Sequence, residues 1–76
     1  MKVKVEYSAM LHVNCKNGAL IDIDDGITVE MLMLKVGIKQ HHIRFIISSV
    51  NGKTVKHNEI LKNDDVVFLL ILAGGG

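Results

Sequence analysis

Val66–Leu72 read VVFLLIL, an uninterrupted apolar run close to the end of a chain of 76 residues. A half-buried strand at the edge of a sheet usually alternates apolar and polar residues, whereas this run is apolar on both of its faces. The run therefore predicts the central strand of a sheet. We expect this strand to pair in parallel with the N-terminal strand of the chain.

The N-terminal segment has the pattern of a half-buried strand. Lys2–Tyr7 read KVKVEY, so that apolar and charged residues alternate with a period of two. Ala19–Ile23 predict a second strand, and the Asn17-Gly18 turn signal before it favours a tight hairpin. The segment between them, Ser8–Cys15, either extends this hairpin or forms a loop.

A single helix is predicted from the sequence TVEMLMLKVG, Thr28–Gly37. Thr28 suits the N-cap, Glu30 suits the positive end of the helix dipole, and Gly37 suits a left-handed C-terminal position. The apolar residues spaced i, i+3, i+4 and i+7 form one buried face, and they are Val29, Leu32, Met33 and Val36. Met31 and Leu34 fall outside this face and are expected to be exposed.

The second half of the chain completes the sheet. Arg44–Val50 predict a third strand, which Asn51-Gly52 folds back into a short fourth strand, and Leu61 anchors the connection to the last one. This order of elements predicts the α+β class. A mixed sheet of about four to five strands with one helix packed across one face is the β-grasp arrangement. We expect one domain over residues 1–72 and a flexible glycine tail over residues 73–76.

Composition and charge argue against several classes of partner. Nine Lys and Arg face eight Asp and Glu, and the basic residues are scattered, with only three aromatic residues in the chain. Neither the basic stripe nor the stacking rings of a nucleic-acid surface are visible. No apolar run approaches the ~18 residues that span a bilayer, so no membrane partner is expected. The single cysteine permits no intramolecular disulfide and favours a cytoplasmic location.

The sequence predicts neither a metal site nor a set of catalytic residues. The four histidines, His12, His41, His42 and His57, lack the paired spacing of zinc ligands, and the adjacent pair is expected to point in different directions. Cys15 has no visible base and is interpreted as a buried or idle thiol. We therefore expect no bound cofactor, and a protein that is a substrate of enzymes and not itself an enzyme.

Residues 49–76 resemble the small sulfur-carrier proteins of thiamin and molybdopterin biosynthesis, which are prokaryotic relatives of ubiquitin. The matching features are Val50-Asn51 at a hairpin, Leu61, Asp65 before the last strand, Val67, and the terminal Gly75-Gly76; the helix start Thr28–Leu32 fits as well.

The sequence departs from the family pattern in two places. Asp64 occupies a turn position where the family usually has glycine, so Asn63 or Asp64 must supply a left-handed residue there. Gly74 lengthens the tail ahead of the usual diglycine pair.

The resemblance implies that the carboxylate of Gly76 is adenylated by an ATP-dependent, E1-like activating enzyme. An ionised carboxylate is a poor electrophile, and adenylation supplies a leaving group that sulfur displaces to give a thiocarboxylate for a sulfur-accepting synthase. Ala73, Gly74 and Gly75 would thread a narrow channel, because glycine has no Cβ and the four tail residues extend over ~13–14 Å. The alternatives are a ubiquitin-like modifier joined to lysines through Gly76, and an interaction domain whose glycines are inert.

The family pattern also predicts a surface for partners. It directs Val67, Leu69 and Ile71 toward the helix and directs Phe68, Leu70 and Leu72 away from it. Together with Ile47 of the neighbouring strand, the latter three would form an apolar partner-binding patch beside the tail. The alternative is that Ser8–Cys15 covers Phe68 and Leu70 within the core.

Overall fold

A computed structural model of the chain describes residues 1–72. The strands are β1 (Lys2–Tyr7), β2 (Ala19–Asp22), β3 (Ile46–Val50), β4 (Lys53–Val55) and β5 (Val66–Ile71), and the helices are α1 (Val29–Lys35) and α2 (Gln40–Ile43). The predicted tail, residues 73–76, lies outside the described residues. Neither of the two helices within residues 1–72 has the length and apolar character that crossing a membrane requires.

The strand predicted to be central lies in the middle of the sheet. The strand order is β2-β1-β5-β3-β4, with β5 parallel to β1 and antiparallel to β3. Val67 and Leu69 of β5 are fully buried on the face that α1 covers. The mixed sheet with a helix across one face confirms the predicted β-grasp arrangement and its α+β class.

Helix α1 has the boundaries and the buried face that its sequence predicts. The Thr28 hydroxyl accepts a hydrogen bond from the backbone N–H of Met31 at 3.2 Å, which is the geometry of an N-cap. Gly37 follows the helix with φ +92°, the left-handed conformation that glycine adopts without a steric penalty. All four residues of the apolar face are buried, while Met31 and Leu34 are exposed.

Helix α2 is an addition to the predicted elements. It has four residues, and its Ile43 is buried in the core. The chain turns at Arg44 and Phe45 before β3 begins at Ile46, so the prediction that these two residues belong to the third strand is wrong. A single turn of helix carries no repeat of apolar spacing, and periodicity therefore gave no sign of it.

The connection between β1 and β2 is a loop, not the tight hairpin that Asn17-Gly18 favours. The side chain of Asn17 forms two hydrogen bonds with the backbone of Tyr7 at the end of β1. Its Oδ1 accepts from the Tyr7 N–H at 3.0 Å, and its Nδ2 donates to the Tyr7 carbonyl at 2.8 Å. Only Gly18 of the turn has a positive φ. The loop before Asn17 places Leu11 in the core.

A hydrogen-bond network fixes the start of β5. Asp65 is 9% exposed, and its carboxylate accepts from Asn51 Nδ2 at 2.9 Å and from the Lys62 N–H at 2.8 Å. Asn51 Oδ1 in turn accepts from the Val66 N–H at 2.9 Å. Asp64 has φ +70° and is the left-handed residue that the turn requires. The β3–β4 hairpin and the first residue of the central strand are thus joined directly.

Candidate functional site

The end of β5 is held from both sides. The Ile71 N–H donates to the Ser8 hydroxyl at 3.4 Å, and the Leu72 N–H donates to the Phe45 carbonyl at 3.2 Å. Two residues before Ile71 on β5, the Leu69 carbonyl accepts a hydrogen bond from the Ser8 N–H at 3.0 Å. The backbone therefore has a defined position up to Leu72. Gly74, Gly75 and Gly76, the predicted reactive tail, and Ala73 before them lie outside the described residues.

An apolar patch lies on the face of the sheet opposite α1. Ile47, Phe68 and Leu70 are each 38–40% exposed, and we call these three residues the outer patch. Ile47 and Leu70 are directly opposite each other in the antiparallel pairing of β3 with β5. The segment Ser8–Cys15 does not bury them, and its Leu11 belongs to the core on the other face. The predicted exposure of these residues is confirmed.

Polar residues border the outer patch on both neighbouring strands. Phe68 is paired with Ser49 in β3 and with Glu6 in β1. Lys4 Nζ lies 3.8 Å from Glu6 Oε2, and the two side chains are 46% and 38% exposed. Such a surface ion pair adds little to stability. The ion pair thus borders the apolar residues of β5 on the side of β1.

Leu72 lies where β5 ends, and it lines a second apolar surface. A groove of about 500 Å³ is formed there by the β1–β2 loop, the residues around α2, and the end of β5. We call it the end groove; its apolar lining consists of Met10, Leu11, Ile38, Phe45, Ile71 and Leu72. Leu72, one of the four residues predicted as one patch, thus lines this groove.

Apart from Leu72, the residues of the end groove were not predicted as a site. Met10 and Leu11 belong to the segment whose structure the sequence left open, and Phe45 was assigned to a strand. Their proximity depends on the path of the loop and on α2, neither of which follows a periodic pattern. Met10 is 71% exposed, an unusual position for a large apolar side chain beside other apolar groups.

Cys15 fits the interpretation of an idle thiol. Burial raises the pKa of its thiol above the ordinary value, although a hydrogen bond from the backbone acts in the opposite direction. A raised pKa keeps the group protonated at neutral pH, and the protonated form is a poor nucleophile. The Cys15 carbonyl accepts a hydrogen bond from the Tyr7 hydroxyl, so this residue serves the packing of the loop.

The histidines do not converge on a common point. His57 Nε2 lies 2.8 Å from the Ile46 carbonyl and must donate its proton to it. The rings of His41 and His42 contact each other edge to face at a centroid distance of 4.1 Å, so the expectation that they point apart is wrong. Within residues 1–72, no three His, Cys, Asp or Glu side chains are grouped so as to hold a metal ion.

Comparisons with known proteins found one matching family model and several similar solved structures. The model of the ThiS family matches residues 12–76. SAMP1 from Haloferax volcanii has a similar structure, with a TM-score of 0.72, 20% identity and full coverage of both chains. A putative molybdopterin converting factor, subunit 1, from Pyrococcus furiosus has a TM-score of 0.72 and 24% identity over 92% of this chain and 95% of its own. No curated protein matches the sequence. At these identities the two structures show a shared fold.

Proposed function

Because the chain belongs to the ThiS family, we propose that it is a sulfur carrier, activated at the carboxylate of Gly76. The observation that carries the proposal is the extent of the family match, which runs to Gly76 and so includes the whole glycine tail. In this role the protein is a substrate of its partners, holds no cofactor, and relies on the ATP that an E1-like enzyme binds.

The proposed chemistry has two steps on the same carboxyl group, the first at its oxygen and the second at its carbon. In the first, a carboxylate oxygen of Gly76 attacks the α-phosphorus of ATP, pyrophosphate leaves, and an acyl adenylate forms. In the second, a hydrosulfide nucleophile from a sulfur donor attacks the acyl carbon and AMP leaves. The product is a thiocarboxylate. The ionised carboxylate alone would resist such an attack, which is why activation must come first.

The described part of the chain supports this role by its geometry. The hydrogen bonds at Ile71 and Leu72 hold the point from which the tail departs. From that point, four residues reach at most ~13–14 Å when extended. The outer patch lies beside this point, and exposed apolar area of this kind is typical of a partner surface. An enzyme that docks on the patch would therefore receive the end of the tail within that reach of Leu72.

The second partner in this proposal is a sulfur-accepting synthase. The likeness to a putative molybdopterin converting factor subunit supports a cofactor-biosynthetic acceptor. A modifier role is the alternative, because the same acyl adenylate can be passed through a thioester to a lysine amine. Both roles share the first step and differ in the fate of the acyl group.

Intact mass spectrometry of the protein purified from its native host tests the carrier role. A fraction of the molecules should end at Gly76 and carry one sulfur atom in place of a terminal oxygen. A variant lacking Gly76 should never gain this mass. Gly-Gly remnants on target lysines without any thiocarboxylate would support the modifier instead. Mature protein with residues beyond Gly76 would contradict both roles.

A further inference from the structure

The end groove is a second surface that the outer patch does not account for. It lies at the end of the sheet, between the β1–β2 loop and α2, and its volume is within the ~300–1,000 Å³ typical of ligand pockets. Ile71 and Leu72 form one wall, so an occupant of the groove would contact the residues from which the tail departs.

The chain's own tail is unsuited to fill this groove. Residues 73–76 are one alanine and three glycines, and together they offer a single methyl group as a side chain. A groove of about 500 Å³ with six apolar lining residues needs large apolar side chains to displace its water. Residues 73–76 therefore do not supply the large apolar side chains that the groove accommodates.

The charge around the groove argues against a second copy of this chain. The ionisable side chains that line it are His12, Lys39 and His42, all of them exposed, and the described lining contains no Asp or Glu. A two-fold symmetric dimer brings the same patch together from both subunits. The Lys39 side chains of both copies would then lie in one interface whose described lining offers no Asp or Glu to pair with them, and juxtaposed like charges oppose association.

We propose that the end groove binds an apolar segment with acidic flanks in the E1-like activating enzyme. This inference rests on the proposed function and deepens it. The apolar side chains of the segment fill the groove, and its Asp or Glu residues pair with Lys39. The enzyme then holds the domain at two surfaces, the outer patch and the end groove, on either side of the point where the tail begins. Contact with Leu72 directs the tail toward the nucleotide site.

Two substitutions at exposed positions of the groove test the inference. Met10→Ser removes apolar contact area, and Lys39→Glu reverses the charge that the acidic flank would meet. The matched controls are Met31→Ser and Lys35→Glu, which change the same residue types on exposed positions of α1 outside the groove. Thermal melts of all four variants should show that the fold is retained.

The affinity of each full-length variant for the host's own activating enzyme is measured by calorimetry, alongside ATP–pyrophosphate exchange. We expect each groove variant to bind about tenfold or more weakly, which corresponds to ~1.4 kcal/mol, and each control to bind like the wild type. Groove variants that bind as tightly as their controls, while exchange still depends on Gly76, would overturn this inference alone. Wild-type protein that does not bind the enzyme would overturn the inference and the proposed function together. A change in self-association confined to the groove variants would indicate a second copy as the occupant.

Discussion

Asp65 and Asn51 show why two single positions of the family pattern matter physically. Their side chains connect a hairpin to the first residue of the central strand, and Asp65 is buried when it does so. A buried carboxylate with two hydrogen bonds is costly to remove, because its donors lose their partners. The two positions therefore hold β5 in register with β3, and through β5 they hold the start of the tail.

Asp65→Ala should lower the free energy of unfolding by about 1–3 kcal/mol, because Asn51 Nδ2 and the Lys62 N–H lose their acceptor. Urea denaturation measures this change. Asp25→Ala, in an exposed turn, is the control and should change the midpoint little. Equal midpoints for the two variants would show that the network contributes nothing to stability.

Asp64→Gly should stabilise the protein. Asp64 has φ +70°, a conformation that is strained for residues with a Cβ and not for glycine. Relief of this strain exceeds the extra chain entropy of glycine, and we expect a gain of up to about 1 kcal/mol. Asp25→Gly is the control, since Asp25 does not have a positive φ, and it should be neutral or destabilising. A loss of stability in Asp64→Gly would contradict the account of this turn.

Helix α1 is too short to be stable alone. An isolated helix of seven residues is marginal, and its stability comes from packing and from its two ends. At the first end, the N–H groups of Val29 and Glu30 donate to the carbonyls of Glu59 and His57 at 3.0 and 2.9 Å. At the other end, a Cβ on Gly37 would lie 3.1 Å from Asn14 Nδ2. The helix is thus held by loops at both termini.

Gly37→Ala should cost more stability than Gly52→Ala. Both glycines have a positive φ, +92° and +85°, so both substitutions introduce ~1–2 kcal/mol of backbone strain. Only at Gly37 does the new methyl group also press on Asn14, whereas nothing lies within 4 Å at Gly52. Parallel urea titrations compare the two. An equal loss would mean that Asn14 moves aside freely.

The elements with a repeating pattern could be predicted from the sequence. The face of α1 formed by Val29, Leu32, Met33 and Val36 follows the period of a helix, and the unbroken run of β5 marks a central strand. The turn at Asn51-Gly52 was equally clear, because both residues have the positive φ that this pair favours.

The β1–β2 loop and α2 could not be predicted, because tertiary contacts decide them. The Asn17-Gly18 signal for a tight hairpin was overridden by the side-chain pairing of Asn17 with Tyr7 and by the burial of Leu11. Helix α2 is a single turn with one buried residue, Ile43. Strand alternation in β5 separates its two faces, and the resemblance to the family implied which of them forms the outer patch, whereas the end groove required the loop and α2 to be placed first.

At the scale of the whole molecule, residues 1–72 present two apolar surfaces near the point where the tail begins. The outer patch lies on the open face of the sheet, and the end groove lies at the end of the same sheet beside α2. Leu72 follows Leu70 of the outer patch by two residues and lines the end groove, and hydrogen bonds to Ser8 and Phe45 hold the backbone there. A partner that binds both surfaces receives the glycine tail in one direction.

Leu70→Ser should raise the KM for activation about tenfold or more and leave kcat nearly unchanged, because docking area is lost while the tail is intact. Leu20→Ser is the matched control. Leu20 is 66% exposed, and it lies on β2, two strands away from β5. Steady-state kinetics with the activating enzyme compare the two, after melts confirm folding. An equal KM in both variants would exclude the outer patch as a docking surface.

ATP–pyrophosphate exchange with the host's own adenylating enzyme tests the central claim most directly. Full-length protein should stimulate exchange of labelled pyrophosphate into ATP, because the Gly76 carboxylate forms an acyl adenylate reversibly. The protein lacking Gly76 should fold equally well and fail to stimulate exchange, since its carboxylate falls short of the nucleotide. Exchange at the same rate with and without Gly76 would contradict the account.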